Sequence, residues 1–163
     1  HFRIDGEKAF RVYAAAQKRD LFLTFHTGIH WHRISDYNVL LFDEVAYHFK
    51  NLRFSMEHVG GYCFFLDAVA VMQNNQKDPP RIYAGLTSVF DKESNRFWYQ
   101  DDQRIRDLLW QTGEEASIFG LDFPYNNAQK IQEAITRVQG LEIPQTAKEK
   151  ILGGNLRRVL SWD

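Results

Sequence analysis

Cysteine is almost absent. Cys63 is the only one in 163 residues, which excludes an internal disulfide. With Tyr62 and Phe64 beside it, the thiol is expected to be buried and structural rather than nucleophilic. No run of about 18 apolar residues occurs, so no membrane span is expected. Net charge is only −1, which leaves no electrostatic footprint for nucleic acid or for an anionic membrane. The basic residues Lys148, Lys150, Arg157 and Arg158 read as solvated helix faces. No signal-peptide pattern opens the sequence, and the expected compartment is the cytoplasm. An initiator methionine is also missing. The sequence begins at His1 and enters a helical pattern within a few residues, as expected of a processed product or a fragment, and His1 is assigned no role.

What is present is enough apolar material for one ordinary domain with a core: 44% hydrophobic residues, with aromatics at 15%. It is arranged as an alternation of helix and strand. Ala9, Phe10, Val12, Tyr13 and Ala16 recur at helical spacing over 6–19. LFLTF at 21–25 is short and continuously apolar, the mark of a strand buried on both faces. A helix is expected over 35–50, with Ser35 or Asp36 as N-cap and Val39, Phe42, Val45, Ala46 and Phe49 as its inner stripe. LRFSME at 52–57 is the next strand, weakened by Arg53 and Glu57. Helix at 62–75, strand at 82–86, a polar and aromatic excursion containing FWYQ at 97–100, and a short helix around Ile105, Leu108 and Leu109 follow. Gly113 ends that helix. A fourth strand covers 116–120. A helix from Ala128 to a stop at Gly140 comes next, then one starting at Pro144. Gly153 and Gly154 break it, and Asn155 is expected to cap a last short helix.

The strands begin near 21, 52, 82 and 116. A repeat of about 30 residues is the size of one βα unit, and four in succession give a parallel sheet with right-handed crossovers. That suits an open doubly wound sheet or part of a closed barrel. No GxGxxG or Walker sequence follows any strand, which disfavours the nucleotide-binding open sheets.

Three residues sit at the carboxyl ends of these strands: His26 after the first, His58 after the second, Asp122 after the fourth. Parallel α/β folds place their active sites there. Parity puts Phe22, Thr24 and His26 on one face, and likewise Phe54, Met56 and His58, and Ile118, Gly120 and Asp122. If those faces point into a barrel, the three groups meet at one mouth. Two imidazoles and a carboxylate are a ligand set for zinc, iron or manganese. Gly28, Gly60 and Gly61 would let loop backbone approach a bound ion or ligand.

The words YAAAQKRDLFLTFHTG (13–28), MEHVGG (56–61), FGLDFPY (119–125) and ILGGNLRRVL (151–160) occur in this order. Together they resemble the blocks of the amidohydrolase-related family that includes aminocarboxymuconate-semialdehyde decarboxylase and the resorcylate decarboxylases. The resemblance covers essentially the whole sequence. It implies a TIM-barrel type (β/α)8 fold, of which this chain would carry about four βα units, strands five to eight, plus C-terminal helices, as one domain over 1–163. It also implies that His26 is a metal ligand, that Asp122 is a ligand able to take a proton, and that His58 polarises substrate or handles protons, ligating the metal itself in some relatives. Phe123 and Pro124 would shape the turn that holds Asp122. The cofactor would be a divalent metal, most simply zinc.

The family's His-x-His pair, at the end of its first strand, is absent with the first four strands. His30 and His32 form a His-x-His in a loop just after His26, read here as unrelated to that pair. His32 is expected to face solvent or a pocket wall, and His48 to be structural. A half-site with His26 and Asp122 as its firm ligands should bind metal weakly. The implied activity is hydrolysis of a small carboxylate, ester, lactone or amide through metal-activated water. The alternatives are metal-dependent decarboxylation, or a catalytically incomplete half-barrel that only self-associates. Expected partners are a small-molecule substrate and either a second copy of the chain or an N-terminal half-barrel. FWYQ at 97–100 could line a pocket, contact a neighbouring subunit or form a surface loop.

Overall fold

A computed structural model describes residues 3–161; His1 lies outside them. Four parallel strands pair in chain order, β1 (Phe22–His26), β2 (Arg53–Glu57), β3 (Ile82–Thr87) and β4 (Ser117–Gly120). Helices α1 (Glu7–Lys18), α2 (Leu41–His48), α3 (Gly61–Asn74), α4 (Asp102–Thr112) and α5 (Ala128–Gly140) precede, link or follow them. The short α6 (Gln145–Glu149) and α7 (Asn155–Leu160) are joined by a π turn over Lys150–Gly154. Sequential order with parallel pairing is the topology of consecutive βα units.

The register fixes which side chains share a face. Phe22 pairs with Arg53 and His26 with Glu57, Ser55 with Tyr83, and Gly85 with Ile118. One face therefore carries Phe22, Thr24, His26, Arg53, Ser55, Glu57, Tyr83, Gly85, Thr87, Ile118 and Gly120. The opposite face carries Leu23, Phe25, Phe54, Met56, Ile82, Ala84 and Leu86, which pack with Val45, Phe65, Val71, Ile105 and Leu108 from the helices in the main core. The expected inward parity holds for β1 and β4 and fails for β2. Phe54 and Met56 are fully buried against the helices, and Arg53, Ser55 and Glu57 take the inner face. Arg53 and Glu57, which weakened the strand assignment, are its inward-facing residues. Alternation could not reveal this, because β2 has apolar Phe54 and Met56 where β1 has Leu23 and Phe25, and His58 lies beyond a backbone reversal.

The inner face is divided along the strands. At its start Tyr83 and Ile118 pack with Val159, and Phe22, Leu156 and Leu160 join them, so α7 covers this end of the sheet. Arg53 Nη1 donates to the Val159 carbonyl at 2.6 Å and Nη2 to that of Asp20 at 2.9 Å. Toward the carboxyl ends the face turns polar. Ser55 and Thr87 hydroxyls donate to the two carboxylate oxygens of Glu57, and Gly85 leaves the room: a β-carbon there would lie 2.5 Å from that carboxylate.

Three local expectations change. The 35–50 helix is in fact a 3-10 turn (Ile34–Asp36) and then α2, and neither Ser35 nor Asp36 caps α2. Cys63 is exposed on α3 rather than buried, because the helix turns Phe65, Ala68 and Val69 inward instead. Asn155 is a tether, not a cap. It is buried, and its amide donates to the carbonyls of Glu114 (2.7 Å) and Ser117 (2.8 Å), fastening α7 to β4. Asn155→Ala leaves both carbonyls without their donor and is expected to cost about 2–4 kcal/mol, read as a lower urea midpoint with an unchanged m-value. Asp101 and Asn127 are true N-caps, accepting from the N–H of Arg104 (2.9 Å) and Lys130 (3.0 Å). Among the described residues no helix is long and apolar enough to cross a membrane.

Candidate functional site

Each strand delivers one polar residue to its carboxyl end. His26 closes β1, His58 follows β2, Ser88 follows β3 and Asp122 lies two residues beyond β4. Three of the four have left-handed backbone: φ is 61° at His58, 55° at Ser88 and 52° at Asp122. For residues other than glycine each such conformation costs about 1–3 kcal/mol and clusters at functional sites. Here it turns three side chains toward one opening. A cavity of about 350 Å³ opens there, lined by all four together with His30, Trp98, Asn126 and Lys130.

The two imidazoles touch. His26 and His58 rings lie 4.7 Å apart, edge to face. Buried His58 is held through Nδ1, 2.7 Å from the Thr87 carbonyl. That contact selects the tautomer protonated at Nδ1 and leaves Nε2 as the lone pair. More exposed His26 has Nε2 2.6 Å from the Gly28 carbonyl. Burial pushes the pKa of both rings down. The His58 charge adds to the lowering at His26, the carbonyl contacts work against it, and the Asp122 carboxylate favours the charged form of both. Both are therefore biased toward the neutral imidazole that ligates metal.

Asp122 is fixed on its other side. Ser88 Oγ donates to Asp122 Oδ2 at 2.5 Å, and Asn126 Nδ2 donates to Ser88 Oγ at 2.9 Å. Asn126 N–H also donates to the Asp122 carbonyl at 3.0 Å, closing the turn that contains Phe123 and Pro124. Such outer partners orient a ligating carboxylate.

The structure brings His26, His58 and Asp122 to one cavity. It adds three residues that the sequence did not single out for it, Ser88, Asn126 and Lys130, and it takes Trp98 from the FWYQ segment that was one candidate for a pocket lining. Ser88 was accessible from the strand-end rule applied to β3. Trp98 carried no signal beyond its place in an aromatic excursion, which lines the cavity through Phe97 and Trp98. His30, set aside from the sequence, lines it as well, its ring 5.4 Å from that of His26. His32 is exposed and lies elsewhere, against a second pocket with Tyr37. His48 ends α2 and packs on Phe10 at 5.1 Å, a structural place. The glycines admit protein rather than an ion: a β-carbon on Gly28 would lie 2.6 Å from the Trp98 indole nitrogen, and one on Gly60 3.0 Å from the Phe65 amide.

The donor set suits a divalent ion in kind, nitrogen and carboxylate oxygen, and falls short in number. Among the described residues no group of three or more His, Cys, Asp or Glu side chains is placed to hold a metal, and His26 Nε2 is engaged by the Gly28 carbonyl. The residues fit as part of a site that needs further donors.

The fold recurs in larger solved structures. An uncharacterized TIM-barrel protein from Bordetella bronchiseptica superposes with a TM-score of 0.77 at 19% identity, over 98% of this chain and 52% of its own. An amidohydrolase from Burkholderia multivorans with bound zinc gives 0.64 at 15% identity, over 97% of this chain and 58% of its own. A dihydroxybenzoic acid decarboxylase from Polaromonas sp. JS666, with bound manganese and an inhibitor, gives 0.64 at 13% identity, over 98% and 55%. This chain thus spans about half the length of these structures, and its sheet is four strands of such a barrel. No curated protein matches the chain. An amidohydrolase family model matches residues 1–162. That match, in agreement with the superpositions, fixes the relationship: the chain belongs to the amidohydrolase family, a metal-dependent one.

Proposed function

We propose that this chain supplies the second half of a metal-dependent barrel enzyme that hydrolyses a small carboxylate, ester, lactone or amide. The observation that carries this reading is the convergence of His26, His58 and Asp122 on one cavity at the carboxyl ends of parallel strands. In it His26 and Asp122 hold a divalent ion, zinc in the simplest case, with the remaining ligands coming from the half that closes the barrel. The ion supplies Lewis acidity, acidifying a water or polarising a substrate oxygen. Asp122, held by Ser88, accepts a proton. His58, anchored at Nδ1, gives or takes a proton at Nε2. Lys130, which also pairs with Asp91 at 3.2 Å, places a positive charge on the cavity wall for an anionic substrate.

Decarboxylation by the same groups is the second reading, favoured by the fold likeness to the Polaromonas decarboxylase. In it His58 first takes up a proton at Nε2 from water or a substrate hydroxyl and then passes it to the carbon that loses carbon dioxide, returning to the neutral ring. The enzyme is expected in the cytoplasm, as an oligomer or as a barrel completed by its N-terminal half.

Elemental analysis of the complete barrel protein tests the assignment. His26→Ala is expected to lower metal content well below one equivalent. His58→Ala is expected to keep the metal and lose about 10²- to 10⁴-fold in rate, the usual contribution of a positioned acid or base. Full metal content in His26→Ala together with full turnover in His58→Ala would put the site elsewhere.

A further inference from the structure

Trp98 has no part in the chemistry above, yet it makes the closest ring contact in the site. Its indole stacks on His58 with centroids 4.2 Å apart and planes within 13° of parallel. Its Nε1–H donates to the Ile29 carbonyl at 3.0 Å. The loops after β1 and β2 are cut away to receive it. A β-carbon at Gly61 would lie 3.3 Å from the indole Cδ1 and 2.9 Å from the Phe97 carbonyl, matching the obstruction at Gly28.

The segment that carries Trp98 is itself pinned. Tyr62 N–H donates to the Phe97 carbonyl at 2.8 Å and Gln100 N–H to that of Val89 at 2.8 Å. From α5, Arg137 donates to the carbonyls of Phe90 (2.6 Å) and Gln100 (2.9 Å). The excursion after β3 is therefore a braced arm that brings one indole across the loops of the two preceding strands.

We infer that Trp98 is a positioning residue for His58. The Thr87 carbonyl holds one ring atom and the His26 ring meets His58 at an angle of 70°, and neither contact lies flat on the imidazole to fix its plane. A parallel aromatic face does fix it, and the offset or stacked contact is favourable in itself. Between them the carbonyl and the indole keep Nε2 turned to the cavity. The value of that orientation to catalysis rests on the proposed function; the clamp itself is a matter of geometry.

The test is side-chain NMR on this chain with labelled histidine and a chelator present, so that its outcome does not depend on metal binding or turnover. In the unaltered protein the His58 ring protons are expected upfield, under the indole ring current, with fixed contacts to Thr87. Trp98→Leu should move them to unstacked positions and average those contacts away, with core methyl resonances unchanged. Trp98→Phe, which keeps an aromatic face, should leave a smaller upfield shift and retain the Thr87 contacts. If Trp98→Leu folds and His58 keeps its fixed contacts to Thr87, Trp98 only fills space and the inference fails. If that variant does not fold, Trp98→Phe decides alone: an intermediate shift with retained contacts supports the clamp, and any other result overturns it.

Discussion

Asp122→Ala in the complete barrel protein is expected to remove turnover and most of the bound metal while leaving the fold nearly intact. The side chain is half-buried at the mouth and contributes nothing to the main core, so its loss opens no apolar cavity. Its removal takes away the acceptor of the Ser88 hydroxyl at 2.5 Å and, on the proposed function, one metal ligand and the group that accepts a proton. Proton handling alone accounts for about 10²- to 10⁴-fold in rate, and loss of the ion adds to that. Asp122→Asn separates the two contributions, because an amide oxygen can still face the ion and accept from Ser88 but cannot take up the proton. It should therefore keep more metal than the alanine variant at a comparably low rate. Turnover and metal content both unchanged in Asp122→Ala would remove the carboxylate from the site.

Phe54→Ala is expected to cost about 3–5 kcal/mol, the usual range for deleting a fully buried phenyl ring, against a total stability of about 5–15 kcal/mol for a domain. Phe54 is completely buried between the sheet and α2, its ring 5.5 Å from Phe25 and 6.0 Å from Phe42. Urea denaturation followed by circular dichroism reads the effect. Thr24→Ala is the control: Thr24 is exposed on the inner face, and its truncation should stay within about 0.5 kcal/mol. The pair tests the orientation of β2, because a Phe54 pointing into an open barrel would cost little when truncated. A Phe54→Ala effect below about 1 kcal/mol would contradict the packing described here.

Much of this architecture was legible in the sequence for plain reasons. The strands are short apolar runs on a repeat of about 30 residues, and their ends coincide with His26, His58 and Asp122. Their convergence on one cavity was readable because the carboxyl ends of neighbouring parallel strands meet at one rim by topology alone. What stayed hidden depended on backbone conformation and distant packing. The left-handed residues His58 and Val59 reverse the chain after β2, so alternation counted back from His58 put Phe54 and Met56 on the wrong face. Ser88 drew no notice in the sequence, because the acceptor that gives its hydroxyl a place is Asp122, 34 positions on. Asn155 resembled a helix cap locally, and only the positions of Glu114 and Ser117 make it a tether. Gly28 and Gly61 suggested space for a ligand, and the arm carrying Trp98 fills that space.

The most direct measurement is anomalous diffraction from crystals of this chain soaked in excess zinc or manganese. High metal concentration offsets the weak affinity expected of a half-site. The account predicts a single strong peak at the strand ends, with an imidazole nitrogen of His26 and a carboxylate oxygen of Asp122 both within about 2.0–2.2 Å of it. A peak bound by His30 and His32 instead, or saturating metal with no density between His26 and Asp122, would contradict it.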